Sequence, residues 1–427
     1  MCNDIVKKYM NELKNRFQPR IQKSPFRRGG GILPKWMPSV RGRSSFLILL
    51  IIIFISPNQT NAQISDNLRF GGYIQLSPVY LTADIPAPFP DSFWEYRLQN
   101  RLQLSWFATD NLTFNAETRL RVFAGDLVKE IPGYASVIDQ DDGYMNLSWM
   151  MVEDENFLIH LIPDRLFAEW AQNDWNIRIG RQRINWGINM VTNPNDLFNI
   201  YSIYDFDYPE RPGSDAIRVQ RFMGFASKME VALSPAKDIE NMVAAGLYQF
   251  NQRGYDIQLI SGYYRNRFAI GGGWAGSISE TGFKGELMFF RDIEESNSDR
   301  NSNFIAAISA DHMFDNSLFL ITEILYNQQG GLDTFDIFGA SLSVDNPSIS
   351  GYQLTTQLAY PVNPLLDVSL AGIWYPDEQA IFLSPSFTYS VLPDLDFRAL
   401  TQQFFGADDS IFANAGSIYS FSLTWNF

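Results

Sequence analysis

The chain has 427 residues, with 33 Lys+Arg against 47 Asp+Glu and a formal net charge of −14. Residues 1–62 hold eleven of the bases and only two of the acids, so residues 63–427 carry 22 bases against 45 acids, a balance of −23. That excludes sequence-independent nucleic-acid binding, which needs a positive surface. With Cys2 as the only cysteine and two histidines in all, disulfides, thiolate metal sites and a His-rich metal centre are excluded too, and no cofactor is implied.

The longest apolar run is Phe46–Ile55, FLILLIIIFI. A helix of that length rises about 15 Å, half of a hydrocarbon core of roughly 30 Å. Arg41 and Arg43 precede it and Thr60-Asn61-Ala62 follows, which describes a secretory signal peptide cleaved after Ala62 rather than an anchor helix. Met37 gives a signal of ordinary length, 37–62. Residues 1–36, Cys2 among them, then read as an upstream-start extension or an extended basic region. The exported protein is residues 63–427.

From there on the dominant period is two. Trp94, Tyr96, Leu98, Leu102, Leu104 and Trp106 share one face, with Glu95, Arg97, Gln99, Arg101 and Gln103 on the other. Leu112, Phe114, Ala116, Leu120 and Val122 alternate in the same way with Thr113, Asn115, Glu117, Arg119 and Arg121. At the carboxyl end Tyr419, Phe421, Leu423, Trp425 and Phe427 alternate with Ser420, Ser422, Thr424 and Asn426. One face of each segment meets an apolar medium and the other meets water. The final segment, ending on phenylalanine, resembles the carboxy-terminal signal that the insertion machinery of Gram-negative outer-membrane barrels reads.

Turn signals predict tight turns near 108–110, 172–174, 223–225, 251–253, 278–280, 314–316, 362–364 and 392–394. Mostly longer connections fall at 81–93, 125–161, 185–213, 235–241, 265–266, 292–302, 328–350, 375–379 and 405–416. Seventeen connections make about eighteen strands, or 16 to 20 if one is merged or split. The fold class is all-β: a single transmembrane antiparallel barrel with short periplasmic turns and longer external loops. Lipid offers no hydrogen bonds, so strands cross it only in a closed sheet. The lipid bilayer, lipopolysaccharide and the insertion machinery are the expected partners, with a small-molecule solute in the lumen; monomer and trimer both stay open. The expected location is the Gram-negative outer membrane.

Parity sends Arg97, Arg101, Arg119, Arg121, Arg178, Arg218 and Arg398 to the lumen, with Glu95 and Glu117 among the first four. A charge on the lipid face costs about 2–4 kcal/mol at the midplane, so this placement is close to forced. Two readings stay open: an anion-attracting ladder of guanidinium forks, or a salt-bridge lattice that stiffens a polar lumen. The polar parity is expected to line an aqueous channel.

The stretch after residue 180 concentrates unusual residues: Arg181, Arg183, Asn185 and Trp186, then Asn193 and Asp196, the aromatic-acidic run Tyr201–Tyr208, and Arg211 and Asp215. Odd residues up to Ile179 face lipid, so either Gly180 hosts a bulge that resets parity before Arg181 and Arg183, or the strand has already left the hydrocarbon. A 29-residue loop without helical period is usually functional or disordered, and its aromatic and Asn-Pro content argues against disorder. Residues 185–213 are expected to fold into the barrel and narrow it, rather than cap it from outside. Asp196, Asp205, Asp207, Glu210 and Asp215 would then supply acids opposite the arginines.

The run GRQRINWG (180–187), followed by NPND (193–196) and RPGSD (211–215), resembles a family of large Gram-negative outer-membrane β-barrels of unknown function, grouped with porin-like and alginate-export-like barrels. The likeness is good from about residue 160 to 427 and weaker over 63–160. It implies a porin-type barrel and brings no catalytic residues.

The function expected is a channel for small polar solutes, anionic ones included. The alternative is a dedicated exporter or importer of a larger ligand, an acidic polysaccharide or a hydrophobic molecule. An enzyme needs a histidine base beside a nucleophile. His160 falls in a stretch without regular pattern and His312 on the lipid parity, and neither has an obvious Ser/Asp constellation nearby in sequence. An adhesin would want external loops longer than the 37 residues of 125–161.

Overall fold

The computed structural model describes residues 63–65, 67–82, 90–141, 143–199, 210–293, 301–330, 342–407, 410, 412 and 415–427. The leader, with Cys2, Met37 and the Ala62 junction, lies outside the described residues, as do Tyr201–Tyr208 with Asp205 and Asp207.

The first strands are β1 (Gln63–Ser65), β2 (Leu68–Thr82), β3 (Ser92–Thr109) and β4 (Leu112–Gly125). Two one-turn helices follow, α1 (Asp126–Glu130) and α2 (Tyr134–Ile138), and then β5 (Trp149–Glu153), β6 (Phe157–Gln172) and β7 (Trp175–Gln182). Next come β8 (Ser214–Phe222), β9 (Lys228–Ser234), β10 (Val243–Gln252), β11 (Tyr255–Tyr264), β12 (Arg267–Ile278) and β13 (Thr281–Asp292). The last are β14 (Ser302–Met313), β15 (Phe319–Asn327), β16 (Tyr352–Asn363), β17 (Leu366–Tyr375), β18 (Ala380–Leu392), β19 (Leu395–Gly406) and β20 (Ser417–Asn426).

Each strand pairs antiparallel with its neighbour, β20 returns to pair with β2, and β4 pairs directly with β6. With β1 a short hairpin on β2 and β5 a short lateral strand, the closed sheet has eighteen strands. Every backbone polar group of a closed sheet finds its partner in the next strand, which is the condition for lying in lipid.

The eight tight turns lie at one end and the nine other connections at the opposite end, in the order the turn residues predict. Arg253-Gly254 and Arg265-Asn266 both have positive φ at both positions, the two-residue geometry whose twist matches that of the flanking strands. The apolar parity is outward: Trp94, Tyr96, Leu104, Trp106, Phe114, Phe421 and Leu423 are exposed, while Ser420 and Ser422 beside the last two are buried.

The inner face departs from expectation. On β8–β15 its loop-end half is mostly apolar and small, with Ala216, Ala232, Val243, Ala245, Leu247, Ile260, Ala269, Met288, Phe290, Ile305, Ala307 and Leu325 buried. Ile184, Trp186, Leu197, Phe198 and Val344 of the connections pack onto it. A second inner cluster joins Phe93, Phe123 and Leu158 to Leu127 of α1 and Tyr134 of α2. A third joins Ile373, Tyr375 and Phe382 to Ile349, Phe412 and Ala415. The polar parity therefore does not line a continuous water-filled wall. Near the loop end it serves as the floor of a packed core that inward-folded connections complete, and apolar contact rather than hydration holds those connections in place.

The connection expected at 125–161 is shorter, since β6 begins at Phe157. His160 is consequently a strand residue rather than part of an irregular stretch. The Leu158–Leu161 stretch of β6 pairs with β5 on the side where β7 would continue, and β7 pairs with β6 only from Leu166 on. Thus β7 leaves the wall early and β5 fills the space.

Candidate functional site

Arg181 and Asp215 face each other across the β7–β8 ladder, which runs through Gly180 without a register shift. Gly180 takes φ 121°, and a Cβ there would lie 2.3 Å from the Leu166 carbonyl oxygen, so only glycine fits. No bulge resets the parity. Arg181 and Asp215 continue the outward side of Ile179 and Ile217, both exposed, yet are themselves buried. The cover comes from the α2–β5 connection: Arg181 donates to both oxygens of Asp141 (2.9 and 3.1 Å) and to the Met145 carbonyl (2.8 Å). Burial raises the pKa of Asp141, but the hydrogen bonds from Arg181 and from the Leu147 and Gly143 N–H groups, with the Arg181 charge, together outweigh it and hold that carboxyl below its ordinary range. Asp215 is thus a wall residue bound to Arg181 and does not oppose the arginines of the lumen, contrary to expectation.

Beyond Gln182 the chain turns inward and lies along the inner faces of β9–β16. Trp186 Nε1 donates to Glu230 (2.8 Å), and Gln258 donates to the Trp186 carbonyl (2.7 Å). Glu286 accepts three backbone N–H groups, from Ile188 (2.5 Å), Asn189 (2.7 Å) and Asn195 (2.9 Å). Glu323 accepts from the Thr192 N–H (2.9 Å), and Asn195 Nδ2 donates to the Gly272 carbonyl (2.9 Å). Trp186 and Phe198 meet edge to face at 5.1 Å. Each of these amides finds a carboxyl or carbonyl oxygen where water is shut out, and a buried N–H left without one would cost on the order of 1–3 kcal/mol, so the segment is firmly held. Asn185 is exposed, and Asn193 borders a cavity of about 40 Å³ shared with Arg211, Ser343, Ser348, Gln353 and Tyr375.

Asp196, 1% exposed, is paired with Arg211 at 3.3 Å. Burial pushes its carboxyl up to about 7, with Arg211 and Arg183 pulling the other way. Burial and the Arg211 guanidinium lower the pKa of Arg183, and Asp196, the acid that acts on it, is already engaged. An arginine stays charged through such a shift. The Nε of Arg183 is buried without a hydrogen-bond partner among the described residues.

The predicted inward arginines divide into two groups. Arg101, 1% exposed, is clamped by Asp164 (2.7 Å), Glu117 and Glu210 (3.4 Å), and Arg119 shares Asp164 at 3.3 Å. These two belong to a lattice and are shut off from solvent. Arg97 pairs with Glu95, which also accepts from Tyr134 (2.7 Å), and Arg178 pairs with Glu169 (2.9 Å). Arg218 donates to Asn176 (2.7 Å). Arg97, Arg121, Arg178 and Arg218 are half-buried and Arg398 is exposed. Asp164, Glu230, Glu286 and Glu323 escaped the sequence reading. Asp164 sits at a shift in the β4–β6 register that no pattern announces, whereas the inward parity of the three glutamates would have pointed to them.

His160 has neighbours that the sequence did not suggest. Its Nδ1 lies 3.0 Å from Arg121 and its Nε2 lies 2.6 Å from Ser148 Oγ, which is 2.5 Å from Asp139. Arginine only donates, so Nδ1 accepts, Nε2–H donates to Ser148, and the serine proton points to Asp139. A nucleophilic serine needs the reverse, its proton directed at the imidazole. His312 lies 3.1 Å from Thr281 Oγ1.

No protein-family model matches the chain, and no curated protein does. Its fold is similar to that of solved Gram-negative outer-membrane porins. OccAB3 of Acinetobacter baumannii superposes with a TM-score of 0.53 at 10% identity, over 84% of this chain and 99% of that one. OccAB2 of the same organism gives 0.54 at 9%, over 84% and 98%. OccK11 (OpdR) of Pseudomonas aeruginosa gives 0.52 at 10%, over 84% and 96%. At such identities the likeness is one of fold, and it bears out the porin-like barrel that the alternation and the resemblance led us to expect.

Proposed function

We propose that residues 63–427 form a channel in the outer membrane of a Gram-negative bacterium, passing small polar solutes, anions among them, past the inward segment that follows β7. The observation that carries this is the hydrogen bonding of residues 186–195 to the inner faces of β9, β11–β13 and β15 inside a closed eighteen-strand sheet. A barrel of that size is wide enough for an aqueous channel, and a segment laid across its wall converts a wide hole into a selective one. Arg183 favours anions: it stands beside Arg211 and Asp196 with its local acid already paired, and its planar fork suits carboxylate and phosphate.

Reconstitution into planar bilayers tests the proposal. Protein whose folding is verified by strand-rich circular dichroism should give discrete conductance steps with a reversal potential on the anion side. Folded protein that inserts and passes no current would sink it.

A further inference from the structure

Three inward acids stand on β9, β13 and β15, in a face that is largely apolar or small, and all three are buried. Each holds a different part of the inward segment: Glu230 its Trp186 ring, Glu286 both ends of the 188–195 bend, through Ile188, Asn189 and Asn195, and Glu323 the Thr192 amide within that bend. Asn189 adds a second pair of contacts on β14, donating to the Ala307 carbonyl (3.3 Å) and accepting from Ser309 (2.8 Å). The wall makes room for this. At Gly273 of β12 a Cβ would stand 2.9 Å from Ile188 Cδ1 and 3.1 Å from Asn195 Nδ2.

We propose that Glu286 is the positioning residue of the channel, a carboxylate latch that, with Glu230 and Glu323 as flanking anchors, fixes the inward segment and so sets the largest solute that passes. The proposal rests on the channel reading above. A single carboxylate that gathers three amides from residues 188–195 closes the bend into one unit and ties that unit to the sheet. Contacts at β9 and β15 then stop it from pivoting about that point. Without Glu286 the amides of Ile188, Asn189 and Asn195 lose their acceptor together, and water can meet them only if the segment lifts from the wall.

The test uses Glu286→Ala and Glu286→Gln, each also combined with Leu197→Cys. Leu197 is 2% exposed within the segment, and residues 63–427 contain no other cysteine. Alkylation of the Leu197→Cys thiol by a water-soluble maleimide reports lifting whether or not the pore conducts. The latch predicts alkylation at least about tenfold faster with Glu286→Ala, an intermediate rate with Glu286→Gln, and entry of larger neutral sugars in liposome swelling. An unchanged alkylation rate in folded barrel overturns the latch, and faster alkylation with an unchanged sugar limit overturns its role in setting the aperture. Absence of swelling and current in the parent protein would instead remove the channel reading, a failure distinct from either.

Discussion

Arg181 grips Asp215 with both arms of its fork, Nε to Oδ1 at 2.8 Å and Nη2 to Oδ2 at 3.1 Å, while Nη1 reaches Asp141 at 2.9 Å. The three groups sit where β7 leaves the wall and the α2–β5 connection closes over the gap. A cation between two acids at a joint of this kind is expected to act on assembly more than on transport.

Removing one partner of such a buried pair typically costs about 3–5 kcal/mol, because the other charge is left uncompensated. Asp215→Asn should therefore lower the unfolding midpoint in detergent markedly. Arg181→Lys should also do so despite keeping its charge, since an ammonium cannot reproduce the bidentate contacts. A thermal melt followed by circular dichroism checks both; Arg181→Lys melting with the parent would show that the fork is unimportant.

Selectivity and stability should separate among the arginines. Arg183→Ala is expected to shift the reversal potential toward cations by removing a charge whose local acid is otherwise occupied. Arg101→Ala should lower thermal stability by several kcal/mol, because Asp164, Glu117 and Glu210 lose a shared cation, with a smaller effect on selectivity per surviving channel. Single-channel recordings in a salt gradient, set beside melts of the same preparations, would expose the opposite ordering if the ladder reading of Arg101 were right.

The pH response follows from Asp196. Its pKa is raised in the folded protein from 3.8 to about 7, so the folded state holds a proton that the unfolded state releases. Its stabilising contribution is then full below about pH 4 and is lost as pH rises through about 7. The pair with Arg211, a single contact at 3.3 Å, offsets only part of the burial. The melt should be higher at pH 5 than at pH 8, and Asp196→Asn should reduce that difference. A pH profile identical in the variant would reject the assignment.

The eight turns and the sorting of strand residues, arginines among them, onto two faces were legible in the sequence, because alternation is local: side chains of a strand leave it on opposite faces whatever its neighbours are. The fate of those arginines was not legible. Arg101 and Arg97 lie on one strand and one parity, yet Arg101 is sealed among three acids while Arg97 keeps partial exposure. The difference comes from Asp164, 63 residues away, at a register shift in β6.

The apolar half of the inner wall was hidden for a related reason. Ala245, Ile260, Met288 and Ile305 alternate with outward apolar residues, so those stretches read as uniformly hydrophobic and carry no sign of which face a connection will cover. By itself the sequence determined a barrel of about eighteen strands and sorted its residues into outward and inward sets, since period and turn chemistry act within a few residues. Only the tertiary structure decided that the segment after β7 lies against Glu230, Glu286 and Glu323, for those contacts join residues about 40 to 130 positions apart and exist only once the sheet has closed.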